Sequence, residues 1–504
     1  MSKPSRRPRR EEWKQARKDR KREWKELRRQ QATEGLKPLE RKALPNQKSN
    51  YRTGEEEQEA RQTVVEQQLR VFRTLLPGLL KKLARIPDPR CPQTRKHKLT
   101  VLLLYGLLLF VLRMNSRREA NREMSLPVFW ENLQRMFPEL ESLPHGDTLK
   151  RLLERINPEK LQEALIDQVR LLIRNKKFLR YLVGRQYLVA IDGTRKFTRD
   201  YQWADECSSR QISGTSEVEY YVYVLEADLV FPNGLTLPLR SEFLEYNGRP
   251  ETKEDCELRA FQRLAQQLKK DFPRLPLMVL LDGLYPNGPV MALCRRFGWQ
   301  FMIVLQNDSL LSVWEEAEGL GKLQPGQELD HVWGDRRQHF RWVNQIEYAY
   351  GPYERYKQWV HLVVCEESWE EIDPKTGKVV EKQSRHAWLS SEPLTRQNVV
   401  MRCNQYARRR WRIENHLLVE KHQGYQYEHC FSYNWNAMKG YHYLMRLGDF
   451  LNTLALHSVE LVEWVRSISA QGVLNFIRTT ISGPWLDEGR IKRLVATPHQ
   501  LRLA

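Results

Sequence analysis

The sequence lacks a hydrophobic segment long enough to cross a bilayer. Its longest apolar stretch, residues 101–112, has twelve residues, whereas a transmembrane helix needs about 20. No charged segment followed by an apolar one, the pattern typical of a signal peptide, opens the chain. We therefore expect a protein that does not span a membrane and that works in the cytoplasm.

Cysteine is scarce, and its spacing excludes two kinds of site. No two of the seven cysteines stand in a CxxC pattern, so neither a zinc site nor a disulfide framework is predicted. We interpret all seven as reduced. They are Cys91, Cys207, Cys256, Cys294, Cys365, Cys403 and Cys430.

Acidic residues are too few to balance the basic ones. The 504 residues include 83 Lys and Arg against 63 Asp and Glu, a formal charge of +20, which favours a polyanionic partner. The excess is strongest in residues 1–30, where fourteen basic residues face five acidic ones. Such a segment cannot bury enough apolar surface to fold alone. DNA is the partner we expect, while an anionic membrane surface and a merely solvated tail are the alternatives.

Changes in composition and periodicity divide the chain into six segments. Apolar residues at helical spacing mark an N-terminal helical region, and short β-branched and aromatic runs mark an α/β region after it. We predict a mixed α/β class with these boundaries: a basic arm and linker at 1–60, disordered without DNA; a helical domain at 61–184, which binds DNA or serves as a scaffold; an α/β core at 185–306; a β-rich insert at 307–394; the last part of the core at 395–435; and a helical C-terminal region at 436–504.

Two aspartates follow apolar strands of the predicted core. Asp192 comes after a strand at 187–191 and Asp282 after a strand at 277–281, and a glycine follows each. A carboxylate there is costly to bury unless it is paired or binds a metal, and glycine lets backbone or substrate approach closely. Two divalent ions about 4 Å apart, held by carboxylates, can clamp both oxygens of a phosphoryl transfer. An ordinary Asp-Gly turn is the alternative for either aspartate alone.

A third acid, Glu414, lies in a basic stretch that is predicted to be one helix from 395 to 422. At 3.6 residues per turn, Arg410 and Lys421 share its face, with Lys421 roughly 10 Å further along. That face offers a metal ligand beside cations for the flanking phosphates. A solvated helix with an Arg410–Glu414 ion pair is the alternative.

Other acids compete for these roles or are given none. Glu420 and Glu428 are rival third acids in the same stretch. Asp255 and Glu257 are predicted in the first turn of a helix, where acidic side chains suit the helix dipole. We interpret these two as structural.

Aromatic side chains near the acids could stack on splayed bases. Tyr406 precedes the basic run, and Trp388 lies where the insert closes. Either residue could equally be packed inside the protein.

Together these residues resemble the DDE transposases of prokaryotic insertion sequences, in the class with a β-rich insert before the last acid. The similarity covers roughly residues 97–460 and includes a Tyr–Arg–Glu–Lys-type signature, in which Glu414 and Lys421 have the expected spacing. Arg410 has the expected spacing to Glu414, whereas Tyr406 has it to Arg409, so both arginines stay candidates. The segments that carry the resemblance are Ala190-Ile-Asp192-Gly-Thr194, Asp255-Cys-Glu257, Leu281-Asp282-Gly-Leu-Tyr285, Arg410-Trp-Arg-Ile-Glu414-Asn415, Lys421-His-Gln-Gly-Tyr425 and Glu428-His429.

The resemblance implies a ribonuclease H-like catalytic core in an enzyme that cuts and transfers DNA strands, by cut and paste through a hairpin on the transposon end. It implies Asp192, Asp282 and Glu414 as catalytic residues that bind two Mg²⁺ ions, with Mn²⁺ as a substitute. A homodimer acting on two DNA ends, in the nucleoid of a prokaryotic cell, is expected as well. The residues expected to contact DNA are Tyr406, Arg409, Arg410, Lys421 and Trp388.

Two other functions stay open at this point. One is a stand-alone metal-dependent DNA nuclease with the same core, and the other is a non-catalytic DNA-binding protein derived from a transposase. The insert and the basic arm argue against a minimal nuclease. The intact set of three acids argues against a non-catalytic protein.

Overall fold

The structure, a computed structural model, describes residues 6–33, 51–245, 256–323, 326–372 and 379–504. Residues 1–57 form one unit and residues 58–504 a second. In the first unit, the basic arm is a helix, α1 (Arg6–Thr33), where the sequence predicts disorder without DNA. The arm has no glycine and, after Pro8, no proline, which favours a helix. Residues 34–50 of the predicted linker lie outside the described residues.

Apolar residues at helical spacing build the N-terminal helical region of the second unit. The apolar run at 101–112 forms a buried helix, and none of the helices in the described part of the chain is both long and apolar enough to cross a membrane. The helices of this region are α2 (Gly54–Leu83), α3 (Leu99–Val111), α4 (Arg117–Glu123), α5 (Pro127–Met136), α6 (Gly146–Leu153) and α7 (Glu159–Arg174).

A ten-stranded mixed sheet forms the centre of the second unit. Its order is β2-β3-β1-β5-β6-β10-β9-β8-β7, with β4 paired to β3; β1, β5 and β6 are parallel, and the other pairs are antiparallel. The strands are β1 (Tyr187–Arg199), β2 (Ser208–Gln211), β3 (Val218–Val230), β4 (Thr236–Phe243), β5 (Leu277–Leu281), β6 (Gln300–Val304), β7 (Glu328–Trp333), β8 (Arg336–Tyr350), β9 (Tyr356–Ile372) and β10 (Val379–Ser390).

The first strand is longer than the sequence predicts, and this corrects the position of Asp192. β1 continues past residue 191 to Arg199 because β3 pairs with it along that whole length. Asp192 therefore lies within a strand, whereas Asp282 directly follows the end of β5, as predicted.

The insert is a continuation of the core sheet. Its last strand, β10, pairs with β6 of the core, where Trp388 faces Val304. The segment also contains a helix that the sequence does not predict, α10 (Leu311–Leu323), which packs on β8. Gly319 and Gly321 lie inside this helix, and glycine is a weak helix former.

The remaining helices cover the core part of the sheet and the N-terminal region. The stretch predicted as one helix from 395 to 422 is divided into a π-helix (Met401–Tyr406), a 3₁₀ turn (Ala407–Arg410) and an α-helix. The α-helices are α8 (Glu257–Asp271), α9 (Gly288–Arg296), α11 (Trp411–His422), α12 (Trp435–Leu456), α13 (Val462–Ile481) and α14 (Glu488–Ala496). α8 packs on β3 and β4, α11 on β1 and β3, and α12 on α3 and β4.

Candidate active site

Strand register brings Asp192 and Asp282 together. In the parallel pair of β1 and β5, Ala190 is the partner of Leu280. Each aspartate comes two residues further along, so both side chains are directed to the same face of the sheet. Backbone amides hold the two carboxylates: the amide of Gly193 donates to Asp192 (3.1 Å), and the amide of Leu284 donates to Asp282 (2.9 Å).

Asp192 interacts with three other acidic groups and one basic group. Burial raises the pKa of Asp192 to about 7; Arg410 opposes this rise, and the charges of Asp282, Glu414 and Glu257 add to it. The carboxylates therefore lie close enough to repel one another. A single guanidinium does not compensate four carboxylates.

Glu414 lies in the first turn of α11, next to Arg410. An ion pair of 2.6 Å joins the two side chains, of which Arg410 is 7% exposed and Glu414 35%. The Arg410 guanidinium also lies over the ring of Trp411, 4.7 Å from its centroid. The ion pair that was the alternative interpretation of this helix is thus present, and it connects Glu414 to the acidic group around Asp192.

The predicted site is more open than a metal-filled one. Among the described residues, the one trio of ligand-type side chains whose ligand atoms all lie within 4.8 Å of one another is His416, Glu420 and Asp449. Asp192, Asp282 and Glu414 do not form such a compact trio. Like charges repel, and Glu414 is paired with Arg410.

Buried ion pairs explain the compact trio. The two ring nitrogens of His416 contact Asp228 (2.6 Å) and Asp449 (2.8 Å). Although burial opposes it, the carboxylates of Asp449 and Asp228 hold the pKa of His416 well above its ordinary value. A protonated imidazole has no lone pair for a metal, so this trio is a salt-bridge cluster.

Arg446 is the centre of the same cluster. Its guanidinium donates to both oxygens of Glu420 (2.9 Å each), to Asp228, and lies 3.4 Å from Glu226. All four side chains are essentially inaccessible to solvent. We call Arg446, His416, Glu226, Asp228, Glu420 and Asp449 the buried ion cluster.

Both rival third acids are engaged elsewhere. Glu420 belongs to the buried ion cluster. Glu428 pairs with Lys421 at 3.1 Å. Of the three acids in this part of the chain, Glu414 is the one whose charge affects Asp192.

A fourth acid, Glu257, lies near enough for its charge to affect Asp192, but its carboxylate is beside Gly193, on the opposite face of the sheet. It is the first residue of α8, in the predicted first turn; Asp255 lies outside the described residues. Its two carboxylate oxygens accept hydrogen bonds from the hydroxyls of Tyr285 (2.6 Å) and Tyr223 (2.9 Å). Burial raises the pKa of Glu257, the two tyrosine hydroxyls lower it, and Asp282 raises it further.

Two of the residues predicted to contact DNA are buried, and these predictions need correction. Tyr406 is 2% exposed, and its hydroxyl donates to the carbonyl of Val183 (3.2 Å). Trp388 is 4% exposed, with the ring of His386 stacked on it at 5.5 Å and the guanidinium of Arg408 over it at 5.6 Å. Neither ring has a free face for a base. Interior packing was the alternative that the sequence offered for both residues.

The three basic candidates differ in their surroundings. Arg410 is the arginine beside Glu414, whereas Arg409 is partly buried and donates to Gln405 (3.2 Å). Burial lowers the pKa of Arg409, as does the nearby charge of Arg412. Lys421 is 18% exposed in its pair with Glu428.

A groove of about 580 Å³ opens beside Asp282. Trp411, with 55% of its surface exposed, lies on this groove. Segments from the core and the insert line it together, because β10 lies next to β6. Its polar, charged and aromatic lining residues include Asp282, Gln306, Asn307, Asp308, Arg385, His386, Trp388, Arg410 and Trp411.

The donor set at this site fits a hard divalent cation. Asp192, Asp282 and Glu414 offer only carboxylate oxygens, the ligands that suit Mg²⁺ and Mn²⁺. Divalent ions would neutralise the negative charge of these acids, which adds to the burial that raises the pKa of Asp192.

Comparison with known protein families gives a match in the N-terminal helical region. Residues 80–169 match the model of the family described as DDE_Tnp_1-associated. This segment runs from the end of α2 into α7 and does not include the four carboxylates. No curated protein matches the chain. The family match indicates a relationship to DDE-type transposases.

Proposed function

We propose that the protein is the transposase of an insertion sequence, which binds transposon ends and catalyses metal-dependent cleavage and transfer of DNA strands. The observation that carries this proposal is the register of β1 and β5, which directs Asp192 and Asp282 to one face of the sheet, with Glu414 held beside Arg410 in the first turn of α11. The match over residues 80–169 supports it from a different part of the chain. The order β1, β3, β4, α8, β5, α9, β6, with the short strand β2 added at the edge beside β3, supports the ribonuclease H-like assignment.

In this proposal, Asp192, Asp282 and Glu414 hold two Mg²⁺ ions, or Mn²⁺ in their place. The ions would activate the attacking oxygen and offset charge on the leaving one. Arg410 orients Glu414 through their ion pair and, at the wall of the groove, can bind a phosphate next to the one being cut.

The groove beside Asp282 is the path that we assign to the DNA strand. Arg385 and Arg410 place cations along it, and the exposed ring of Trp411 lines it as well. The formal charge of +20 favours DNA over the whole molecule. Since two ends have to be cut and joined, we expect a homodimer in the active complex, working in the nucleoid of a prokaryotic cell, with a hairpin on each transposon end.

The test is a cleavage assay on DNA that carries the inverted repeats flanking this reading frame. We expect Mg²⁺-dependent cleavage by wild type and none by Asp282→Asn, with binding of the end retained. Asp308→Asn is the matched control, because Asp308 lines the same groove but is exposed and lies outside the carboxylate group. Equal cleavage by both variants would contradict the assignment of Asp282.

The same assay separates the alternatives. Transfer of the cut end into a second DNA indicates a transposase, whereas cleavage without transfer at any metal concentration indicates a nuclease. Binding without cleavage indicates a non-catalytic protein.

The basic arm has its own test. Deleting residues 1–30 removes fourteen cations, and each phosphate that is no longer neutralised lowers the slope of log affinity against log salt by about 0.9. We expect weaker and less salt-dependent DNA binding. An unchanged slope would show that the arm neutralises no phosphates and is a solvated helix.

A further inference from the structure

A cavity of about 600 Å³ lies where the N-terminal helical region meets the segment that follows α11. Its wall comes from α4, from the start of α6 and from residues 429–431. Basic side chains outnumber acidic ones in this wall. The basic lining residues are Arg117, Arg118, His145 and His429, and the acid among the lining residues is Asp147.

One of the two arginines is not neutralised within the described part of the chain. Arg117 pairs with Asp147 at 2.8 Å. The ion pairs of the described residues include none for Arg118, which is exposed. Either histidine adds a further positive charge when it is protonated. The wall of the cavity therefore carries an excess of positive charge, which favours an anionic ligand.

The two histidines are held in place by their neighbours. The amide of Asn121 contacts the ring of His145 (3.0 Å), and its oxygen accepts a hydrogen bond from the backbone amide of Gly146 (2.8 Å). The ring of His429 lies edge to face against Phe431, 4.6 Å between centroids, and Phe431 is buried. Both rings are thus positioned before a ligand arrives, which lowers the entropic cost of binding one.

The cavity lies beyond the C-terminal end of α11, whose first turn carries Glu414. Lys421, in the last turn, is roughly 10 Å from Glu414 along the helix axis, and it pairs with Glu428 at 3.1 Å. His429 directly follows Glu428. Successive phosphates of one DNA strand are about 3.4 Å apart along the duplex axis. DNA that reaches from the carboxylates to the cavity therefore advances by about three base pairs or more.

We propose that this cavity binds a phosphate group of the transposon end, about three base pairs or more from the phosphate that is cut. The inference rests on the proposed function, since it names the part of the DNA end that the cavity holds. Guanidinium groups suit phosphate oxygens, and phosphate contacts fix the register of a protein on DNA. Because α4 and α6 belong to the segment that the family model matches, the cavity gives that segment a role in placing the end on the active site.

A gel shift at several salt concentrations, with DNA that carries the inverted repeat, measures the contribution of Arg118. We expect Arg118→Gln to bind about tenfold more weakly, because it loses a hydrogen bond between charged groups, and to have a salt slope lower by about 0.9. Arg118→Lys keeps the charge and should retain the wild-type slope. Wild-type affinity and slope in Arg118→Gln would overturn the proposal.

Arg155→Gln is the matched control. Arg155 is also an exposed arginine of the N-terminal helical region, but it does not line the cavity. Its replacement removes the same charge, so binding close to that of wild type would assign the effect of Arg118 to its position. Equal losses in Arg155→Gln and Arg118→Gln would show a diffuse effect of charge and would contradict the proposal.

DNA with single neutral phosphates locates the contact. A methylphosphonate removes the charge of one phosphate. At the contacted position, it should weaken binding by wild type but should not weaken Arg118→Gln further, because that contact is already lost. If methylphosphonates weaken both proteins equally at every position, Arg118 contacts no phosphate and the proposal is wrong.

Cleavage by wild type separates this inference from the proposed function. Wild type that binds and cleaves the end, together with wild-type DNA binding by Arg118→Gln, would reject the role of the cavity alone. Wild type that neither binds nor cleaves the end would reject the proposed function and the role of the cavity with it.

Discussion

Asp192 and Glu226 are direct cross-strand neighbours on β1 and β3, yet the pKa values of their carboxyl groups are shifted in opposite directions. Glu226 accepts hydrogen bonds from Ser241 (2.6 Å) and Tyr427 (2.7 Å). Burial opposes its ionisation, but the Arg446 guanidinium holds the pKa of Glu226 well below its usual range. Burial and neighbouring acids instead raise the pKa of Asp192 to about 7.

Position in the sheet therefore does not decide what a buried acid does. The buried ion cluster supplies arginine and protonated histidine to its carboxylates. Arg446 outweighs burial for Glu226, whereas burial outweighs Arg446 for Glu420 and raises its pKa to about 8. The carboxylates around Asp192 have Arg410 and otherwise one another. An acidic group that the fold leaves uncompensated is a candidate for a function that adds positive charge.

Changing each of these two neighbours from carboxylate to amide should have the largest effects, and the two effects should differ in kind. Asp192→Asn should lower metal-dependent cleavage by roughly 10⁴-fold, in the range known for single residues of a catalytic unit, without loss of stability. Glu226→Gln should instead lose about 3 kcal/mol of stability, because the buried Arg446 guanidinium would face a neutral group. Cleavage assays and urea unfolding of both variants measure this, and equal stability losses would contradict it.

Removing the central cation should affect only the buried ion cluster. Arg446→Met leaves Glu226, Asp228 and Glu420 without their guanidinium, and loss of one partner of a buried pair costs about 3–5 kcal/mol. The control is Arg466→Met, whose ion pair with Glu463 is exposed and worth about 1 kcal/mol or less. Urea unfolding midpoints measure the difference. Similar shifts in both variants would show that the cluster contributes no more than a surface pair.

The raised pKa of Asp192 should make the stability of the protein depend on pH. Its pKa is about 7 in the folded protein against an ordinary 3.8, so the folded state binds a proton that the unfolded state has lost. The stabilisation this provides is complete below about pH 4 and is lost as the pH rises through about 7, with a slope of up to about 1.4 kcal/mol per pH unit.

Metal-free wild type and Asp192→Asn, unfolded with urea between pH 4 and 8, isolate this contribution. The stability of wild type relative to the variant should fall as the pH rises through that window. The stability of Asp308→Asn should change with pH in parallel with that of wild type. Parallel curves for Asp192→Asn would show that Asp192 ionises normally.

The smallest expected effect concerns Lys421, at the far end of α11. Its ammonium is paired with Glu428 and 18% exposed, so Lys421→Ala should change stability by about 1 kcal/mol or less. Without its charge, one phosphate fewer is neutralised, which should weaken end binding and lower its salt slope by about 0.9, with Mn²⁺ binding unchanged. Glu428→Gln, which frees the ammonium, should bind DNA at least as well as wild type in the same gel shift. Wild-type DNA binding by Lys421→Ala would leave the residue as a solvated charge.

Local patterns were sufficient to predict the strand before Asp282 and to offer the pairing of Arg410 with Glu414 as the alternative interpretation of that helix. Both depend on neighbours within one strand or one helical turn. The predicted end of β1 was wrong, because the extension of this strand to Arg199 depends on pairing with β3, which no local pattern indicates. Tyr406 and Trp388 were left open between surface and interior, and long-range packing decides that choice.

The buried ion cluster and Glu257 could not be placed from sequence for the same reason. Arg446 and Glu226 are separated by 220 positions. One signal was available: Glu226 and Asp228 interrupt a long apolar strand, and buried charges require partners. For Glu257 the signal was weaker, since an acid in the first turn of a helix is common and its tyrosine partners lie on other elements.

The pairing of β10 with β6 has a consequence for protein engineering. Excising residues 307–394 to obtain a smaller enzyme would remove the partner of β6 and turn a central strand into an open edge. Phe301, Met302 and Ile303 of that strand are now buried. An unprotected apolar edge recruits strands from other molecules, so the trimmed protein would aggregate. In the sequence this segment looks like an insert that could be removed. In the fold its strands extend the sheet that carries the carboxylates.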